Sequence, residues 1–297
     1  MLGQKIEELS DDHPSKAQCL YNLSRLFYSA GNWAEYKRLL THTLRLWRER
    51  GDDDQVAQRL GNLSEANRLM YLHKEGIQLA KEASEIFERL GNTARQAESL
   101  ISLAWSLHDD EQLDAAEEAA SRAIDLFPEK GEQSQVCNGH RALGEIYSSK
   151  GDTEQAIYHL KLTLEIASSL DLDYQLFWAH FALADLFHRQ GRSDDAEARI
   201  KSAKSYAIND AYHLGRAMWL QAGFWCNQRM FEKAKPEASH AADVFKKLGA
   251  AQDLEGCKEL LQWIDEQLNN PVASDESDVD GKLLETLPPP SCINAPF

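Results

Sequence analysis

The chain has 297 residues and is strongly acidic, with a formal net charge of −16 at pH 7, 43% hydrophobic residues and 27% charged ones. That excess of acid opposes binding to nucleic-acid phosphates or to an anionic membrane, and no basic stripe with interleaved aromatics offsets it. No apolar run approaches the roughly 20 residues that span a bilayer, and the N-terminus lacks the basic-then-apolar pattern of an export signal.

Cys19, Cys137, Cys226, Cys257 and Cys292 are odd in number, widely spaced and without a CxxC pair, which reads as reduced thiols in the cytoplasm. Residues 1–15 read as the remnant of a preceding helix and a linker, because Ile6 shares the phase of Leu46 and Ile86. The expectation is an array that continues upstream in a longer product.

From Lys16 a unit of about forty residues repeats, and each unit reads as a helix A, a short turn and a helix B. Leu23, Leu63, Leu103, Leu143 and Leu183 share one phase, and Ser24, Ser64, Ala104, Gly144 and Ala184 follow them. Four residues past the leucine stand Phe27, Leu107, Tyr147 and Phe187, with Asn67 the exception, so one face of helix A is core.

Gly31, Gly151 and Gly191 mark the turn, where a left-handed backbone favours glycine. Asn32 with Glu35, and Asp152 with Gln155, then read as N-cap and third-position partner of helix B. Helix B brings back Ala116, Ala156, Ala196 and Ala234 at one position, and should stop at Gly51, Gly91, Gly131 and Gly249.

Units of this kind bury their apolar faces only by stacking. The fold class is therefore all-α: a helical solenoid of six helix-turn-helix units, over 16–55, 56–95, 96–135, 136–175, 176–213 and 214–250. The sixth copy fits when two residues are dropped before it, with Ala222 small and Trp225 bulky.

Leu254, Leu260, Leu261, Ile264 and Leu268 have helical spacing among polar residues, as a terminal capping helix over 251–268 requires. Residues 269–297 turn acidic and proline-containing, a composition expected to stay disordered. In that tail Ser277, with Asp280 three residues on, resembles an acid-directed kinase site. A plain solvated acidic tail is the alternative, and Pro288 to Pro290 lack the basic flank of a polyproline ligand.

The pattern resembles the tetratricopeptide repeat. Leu143 through Ala156, LGEIYSSKGDTEQA, carries that family's leucine, glycine, tyrosine, turn glycine and helix B alanine in order, and Pro128 falls where the family often ends helix B. The family unit is nearer 34 residues, so the chain is similar to longer variants, such as the arrays of kinesin light chains and of STAND-type signalling ATPases with NACHT or NB-ARC modules. Departures are Tyr36 and Gly76 in place of the helix B alanine, and Tyr71, Glu111 and Arg229 in place of the turn glycine. The second repeat is therefore expected to be the least well packed.

No phosphate loop, dinucleotide fingerprint, HExxH or GxSxG occurs, so no enzyme, cofactor or metal is expected. His140 and His180 share a phase on adjacent A helices, but Leu20, Leu60, Leu100 and Met218 hold that phase elsewhere, which favours a structural role. Cys226 near His188 is the one nucleophile candidate, and without an oxyanion hole or orienting carboxylate it is read as groove lining.

The resemblance implies that the A helices line a concave groove, with the facing residues two before, two after and five after the leucine. Those are Tyr21, Arg25 and Tyr28, then Glu65 and Arg68, then Ile101, Trp105 and His108. Arg141 and Glu145, then Phe181, Asp185 and His188, then Trp219, complete the set. Aromatic rings mixed with arginine are what protein-binding surfaces favour. Phe181 and Trp219 are equally readable as packing on the next A helix, whereas Trp105 is taken as an exposed anchor whose loss should weaken binding by about 2 kcal/mol and spare the fold. The expected function is a non-catalytic scaffold that binds a peptide or helix of a partner protein, with net acidity favouring a basic one. The alternative is a sensor module of a STAND-type ATPase.

Overall fold

In the computed structural model, residues 9–29, 31–127, 133–207 and 210–269 are described, and thirteen helices account for most of them. Helices of type A are α1 (Lys16–Ser29), α3 (Asp53–Leu69), α5 (Thr93–Asp109), α7 (Gln133–Lys150), α9 (Asp173–Arg189) and α11 (Ala211–Asn227). Each is followed by a type B helix: α2 (Trp33–Arg50), α4 (His73–Arg89), α6 (Leu113–Leu126), α8 (Thr153–Ser169), α10 (Ser193–Tyr206) and α12 (Phe231–Leu248). A last helix, α13 (Ala251–Asn269), packs on α12. The expectations for Ile6, Pro128, Gly131, Ser277, Cys292 and the proline run lie outside the described residues.

One turn geometry recurs along the chain. The residue at the turn is left-handed, and the amide after it donates to the carbonyl five residues back, as from Asn32 to Phe27 and from Asp152 to Tyr147, both 2.9 Å. Glycine serves at Gly31, Gly51, Gly91, Gly151, Gly191 and Gly249, with φ between 67° and 80°. Tyr71, Glu111, Asp171 and Arg229 hold φ of 52° to 60° in the same role, so losing the glycine changes the cost of the turn and not its shape. Asn32 and Asp152 cap helix B as their spacing predicts, accepting from the amides of Glu35 (3.2 Å) and Gln155 (3.1 Å).

The chain divides into two compact units, with the boundary inside α8 between His159 and Leu160. In the first unit, Leu40, Leu44, Leu60, Leu63, Ala66, Ile86 and Phe87 form one core, and Leu100, Trp105, Ala116, Ala120, Leu143 and Ile146 belong to another. In the second, Trp219, Ala222, Cys226, Ala234, Phe245, Cys257 and Ile264 pack together. The helix B alanines Ala116, Ala156, Ala196 and Ala234 are at most 1% exposed.

The second repeat is not the loose one. A Cβ at Gly76 would stand 3.1 Å from the Ser64 carbonyl oxygen and 3.2 Å from the Ser106 hydroxyl, and Ser64 donates to the Gly76 carbonyl at 2.8 Å. Glycine fits there because α4 approaches α3 and α5 so closely that a methyl group would be tighter than ordinary packing.

Within each unit the A helices form the crowded layer. The α3 and α5 backbones approach within 8 Å, as do α5 and α7, α9 and α11, and α11 and α13. Among the described residues no such approach links α2 to α4 or α4 to α6.

Candidate functional site

Crowding in the A layer decides what becomes of the residues read as a groove. Nine of the fourteen are buried: Glu65, Arg68, Ile101, Trp105, His108, Arg141, Glu145, Phe181 and Trp219. Tyr21, Tyr28, Asp185 and His188 are half-buried, and Arg25 is exposed.

Trp105, taken from the sequence as an exposed anchor, is 4% exposed and sits in the core with Ala104, Leu143 and Ile146. Its ring carries the Arg141 guanidinium at 4.6 Å, so the next A helix covers the surface that a partner would need. Trp219 packs on α13, where a Cβ at Gly256 would stand 2.9 Å from the ring. Phe181 lies against Phe177 and Trp178, with Arg216 at 5.8 Å from its ring centre.

A chain of polar contacts links three A helices of the first unit. Arg68 donates Nε and Nη2 to the two Glu65 oxygens at 2.9 and 2.8 Å, and Nη1 to Asp109 at 2.8 Å. His108 Nδ1 lies 3.2 Å from Asp109, and its Nε2 lies 2.8 Å from the Ser149 hydroxyl on α7. If Asp109 is ionised, Nδ1 donates to it and Nε2 accepts from the serine. Burial works against the charge on Arg68, but Glu65 and Asp109 more than offset it and hold the guanidinium above its ordinary value. Burial likewise pushes the Asp109 carboxyl up, and Arg68 and His108 outweigh it, leaving the carboxyl below its usual range.

Arginines stacked on the preceding A helix recur. Arg59 lies 3.6 Å from the Tyr21 ring centre, and Arg216 5.3 Å from that of Trp178. Reading phases for a groove missed Arg59, Asp109, Ser149 and Arg216. The available signal was an offset of about forty residues: Arg68 meets Asp109, and His108 meets Ser149, each 41 positions on.

What remains open in the A layer is chiefly α1. Arg25 is exposed, Tyr21 is half-covered by Arg59, and Tyr28 packs edge-on to Trp33 and Tyr36 at 5.4 and 5.1 Å. In the second unit Asp185 pairs with Arg189 at 2.5 Å, and His188 stacks on Phe224 at 4.0 Å.

His140 and His180 each have a neighbour of their own. Each pairs inside its own helical hairpin, His140 with His159 at 3.1 Å between Nδ1 atoms and His180 with Arg199 at 3.4 Å. The His140 and His159 ring centres are 5.3 Å apart, so the two nitrogens point at each other, as in an N–H···N hydrogen bond. Among the described residues no three His, Cys, Asp or Glu side chains converge as a metal site. Cys226 is 2% exposed and its thiol is pushed up to about 12 by burial, so it belongs to the core and not to a groove. Cys19, Cys137, Cys226 and Cys257 form no disulfide. No helix among the described residues is long and apolar enough to cross a membrane.

A family model of the tetratricopeptide repeat matches residues 135–207. No curated protein matches by sequence. Among solved structures, a Rap protein complexed with Competence and Sporulation Factor is similar with a TM-score of 0.67 at 15% identity, over 91% of this chain and 80% of that one. The Rap conjugation regulator of plasmid pLS20, in complex with the Phr* peptide, scores 0.62 at 12% identity over 87% and 77%. A STAND protein with a tetratricopeptide repeat sensor from Pyrococcus horikoshii scores 0.57 at 14% identity, over 91% of this chain and 45% of that one. The fold is thus a helical repeat of the tetratricopeptide type.

Proposed function

We propose that this tetratricopeptide-type array is a non-catalytic interaction scaffold that holds a peptide or helix of a partner protein against its A layer. The observation that carries the reading is the likeness to two arrays solved with ligands, Competence and Sporulation Factor in one and the Phr* peptide in the other. Tyr21, Arg25 and Tyr28 are the side chains that touch the partner in the first unit. The buried set from Glu65 to Glu145 keeps the A helices in register beneath them. Net acidity favours a partner with positive charge, and the expected setting is the cytoplasm.

The test is a photo-crosslinking residue placed at position 28 and, in a second protein, at Tyr158, which is 55% exposed on helix B. A partner captured at 28 and not at 158 supports the groove, and equal capture at both sites removes it.

A second reading is a sensor module of a STAND-type signalling ATPase, favoured by the likeness to the repeat sensor of the Pyrococcus protein. Co-purification of an ATPase subunit with the array, or a phosphate-binding loop encoded in the same product, would move the assignment there.

A further inference from the structure

Ser149 stands at the open end of the polar chain that ties α3, α5 and α7 together. It is exposed, in the last turn of α7, and its hydroxyl lies 2.8 Å from His108 Nε2. His108 is buried, with Nδ1 3.2 Å from one oxygen of Asp109, whose other oxygen takes the Arg68 guanidinium at 2.8 Å. Against its burial, Arg68 and His108 hold the Asp109 carboxyl in its charged form. The imidazole proton then sits on Nδ1, and Nε2 presents its lone pair to the serine.

A hydroxyl, an imidazole and a carboxylate joined in that order are the parts of an activated serine nucleophile. Other exposed serines lack the base: Ser169 donates to the Ile166 carbonyl at 2.8 Å and Ser205 to the Ser202 carbonyl at 2.6 Å. The adjacent amine does not compete, because Asp114 and Glu117 hold the Lys150 ammonium above its ordinary value. We infer that Ser149 is an acceptor site for an acyl group, taken from a donor with a weakly basic oxygen as leaving group, such as an aryl ester or an acyl phosphate.

The place of Ser149 in its helix chooses that class of donor. The C-terminal turn of a helix ends in carbonyls and carries partial negative charge, so its backbone offers no amides to an oxyanion. The donor must bring its own activation. In the step, Ser149 Oγ bonds to the acyl carbon and its proton passes to His108 Nε2, the general base. The bond from that carbon to the leaving oxygen breaks, the electron pair departs with the oxygen, and His108 returns the proton to water. One group is taken per chain, which a non-catalytic scaffold can carry, and the inference does not rest on the groove.

The test treats the full chain with p-nitrophenyl acetate and locates the acetyl groups by peptide mapping in a mass spectrometer. Ser149 should be acetylated about tenfold or more faster than Ser169 or Ser205, and Ser149→Ala should lose the matching phase of p-nitrophenolate release at unchanged Tm. The rate at Ser149 should rise with pH as an imidazole loses its proton, and His108→Gln should slow it about tenfold or more and abolish that profile. Acetylation of Ser149 in wild-type protein no faster than that of the other two serines overturns the inference without any variant having to fold. The same rate and pH profile in a folded His108→Gln protein overturns it as well.

Discussion

Glu111 holds a φ of 60° at the turn between α5 and α6, where the first, fourth and fifth repeats have glycine. A left-handed backbone costs an L-residue roughly 1–2 kcal/mol, and glycine returns part of that through its larger unfolded-state entropy, roughly 0.5–1 kcal/mol. Glu111→Gly should therefore stabilise the protein by about 0.5–1 kcal/mol in urea unfolding. A midpoint that stays put or falls would mean that the side chain holds the turn by contacts of its own. Trp105 is the opposite case, since its ring is core and covered by Arg141. Trp105→Ala should cost about 3–5 kcal/mol, and a variant with wild-type stability would return the ring to the surface.

Between helices, the decisive feature is how closely the A layer packs. Gly76→Ala gains about 1 kcal/mol of helix propensity, yet its methyl group would press on the Ser64 backbone oxygen, which cannot yield as a side-chain end can. A net loss of about 1–2 kcal/mol is expected, and a stabilised variant would contradict the close approach of α4.

The hairpin histidines add a pH dependence. Burial, with a lesser push from the neighbouring His159, lowers His140 to about 4, and burial, with a lesser push from Arg199, lowers His180 to about 4. Between that value and the ordinary value of 6.5 the unfolded chain binds more protons than the folded one, so stability falls as pH drops through this window. Equilibrium unfolding from pH 7 to pH 4 should show that slope, and His140→Gln should flatten it; an unchanged slope in the variant would assign it elsewhere.

The helix order, the turn glycines and the caps could be read from the sequence because each depends on residues a few positions apart. The exposure of Glu65, Arg68 and Arg141 could not. Pairs within a helix, Arg68 with Glu65 and Arg141 with Glu145, are buried here together with what the neighbouring A helix brings, Asp109 for Arg68 and the Trp105 ring for Arg141. Phase alone shows which residues share a face, and it does not show how near the facing helix comes.

For the molecule as a whole, stacking makes stability a sum of terms between nearest neighbours. Ion pairs and cores in the first unit join helices one or two places apart, as Arg68 joins α3 to α5 and His108 joins α5 to α7. A lesion therefore acts on its neighbours first. In Trp105→Ala, hydrogen exchange of α3 to α7 should quicken by about tenfold or more, since about 1.4 kcal/mol of lost opening free energy is tenfold in rate. The amides of α9 to α13, whose core is built on Trp219, Phe245 and Ile264, should change by much less. An equal rise along the entire chain would mean that the array unfolds as one cooperative body, and the additive account of its stability would fall with that result.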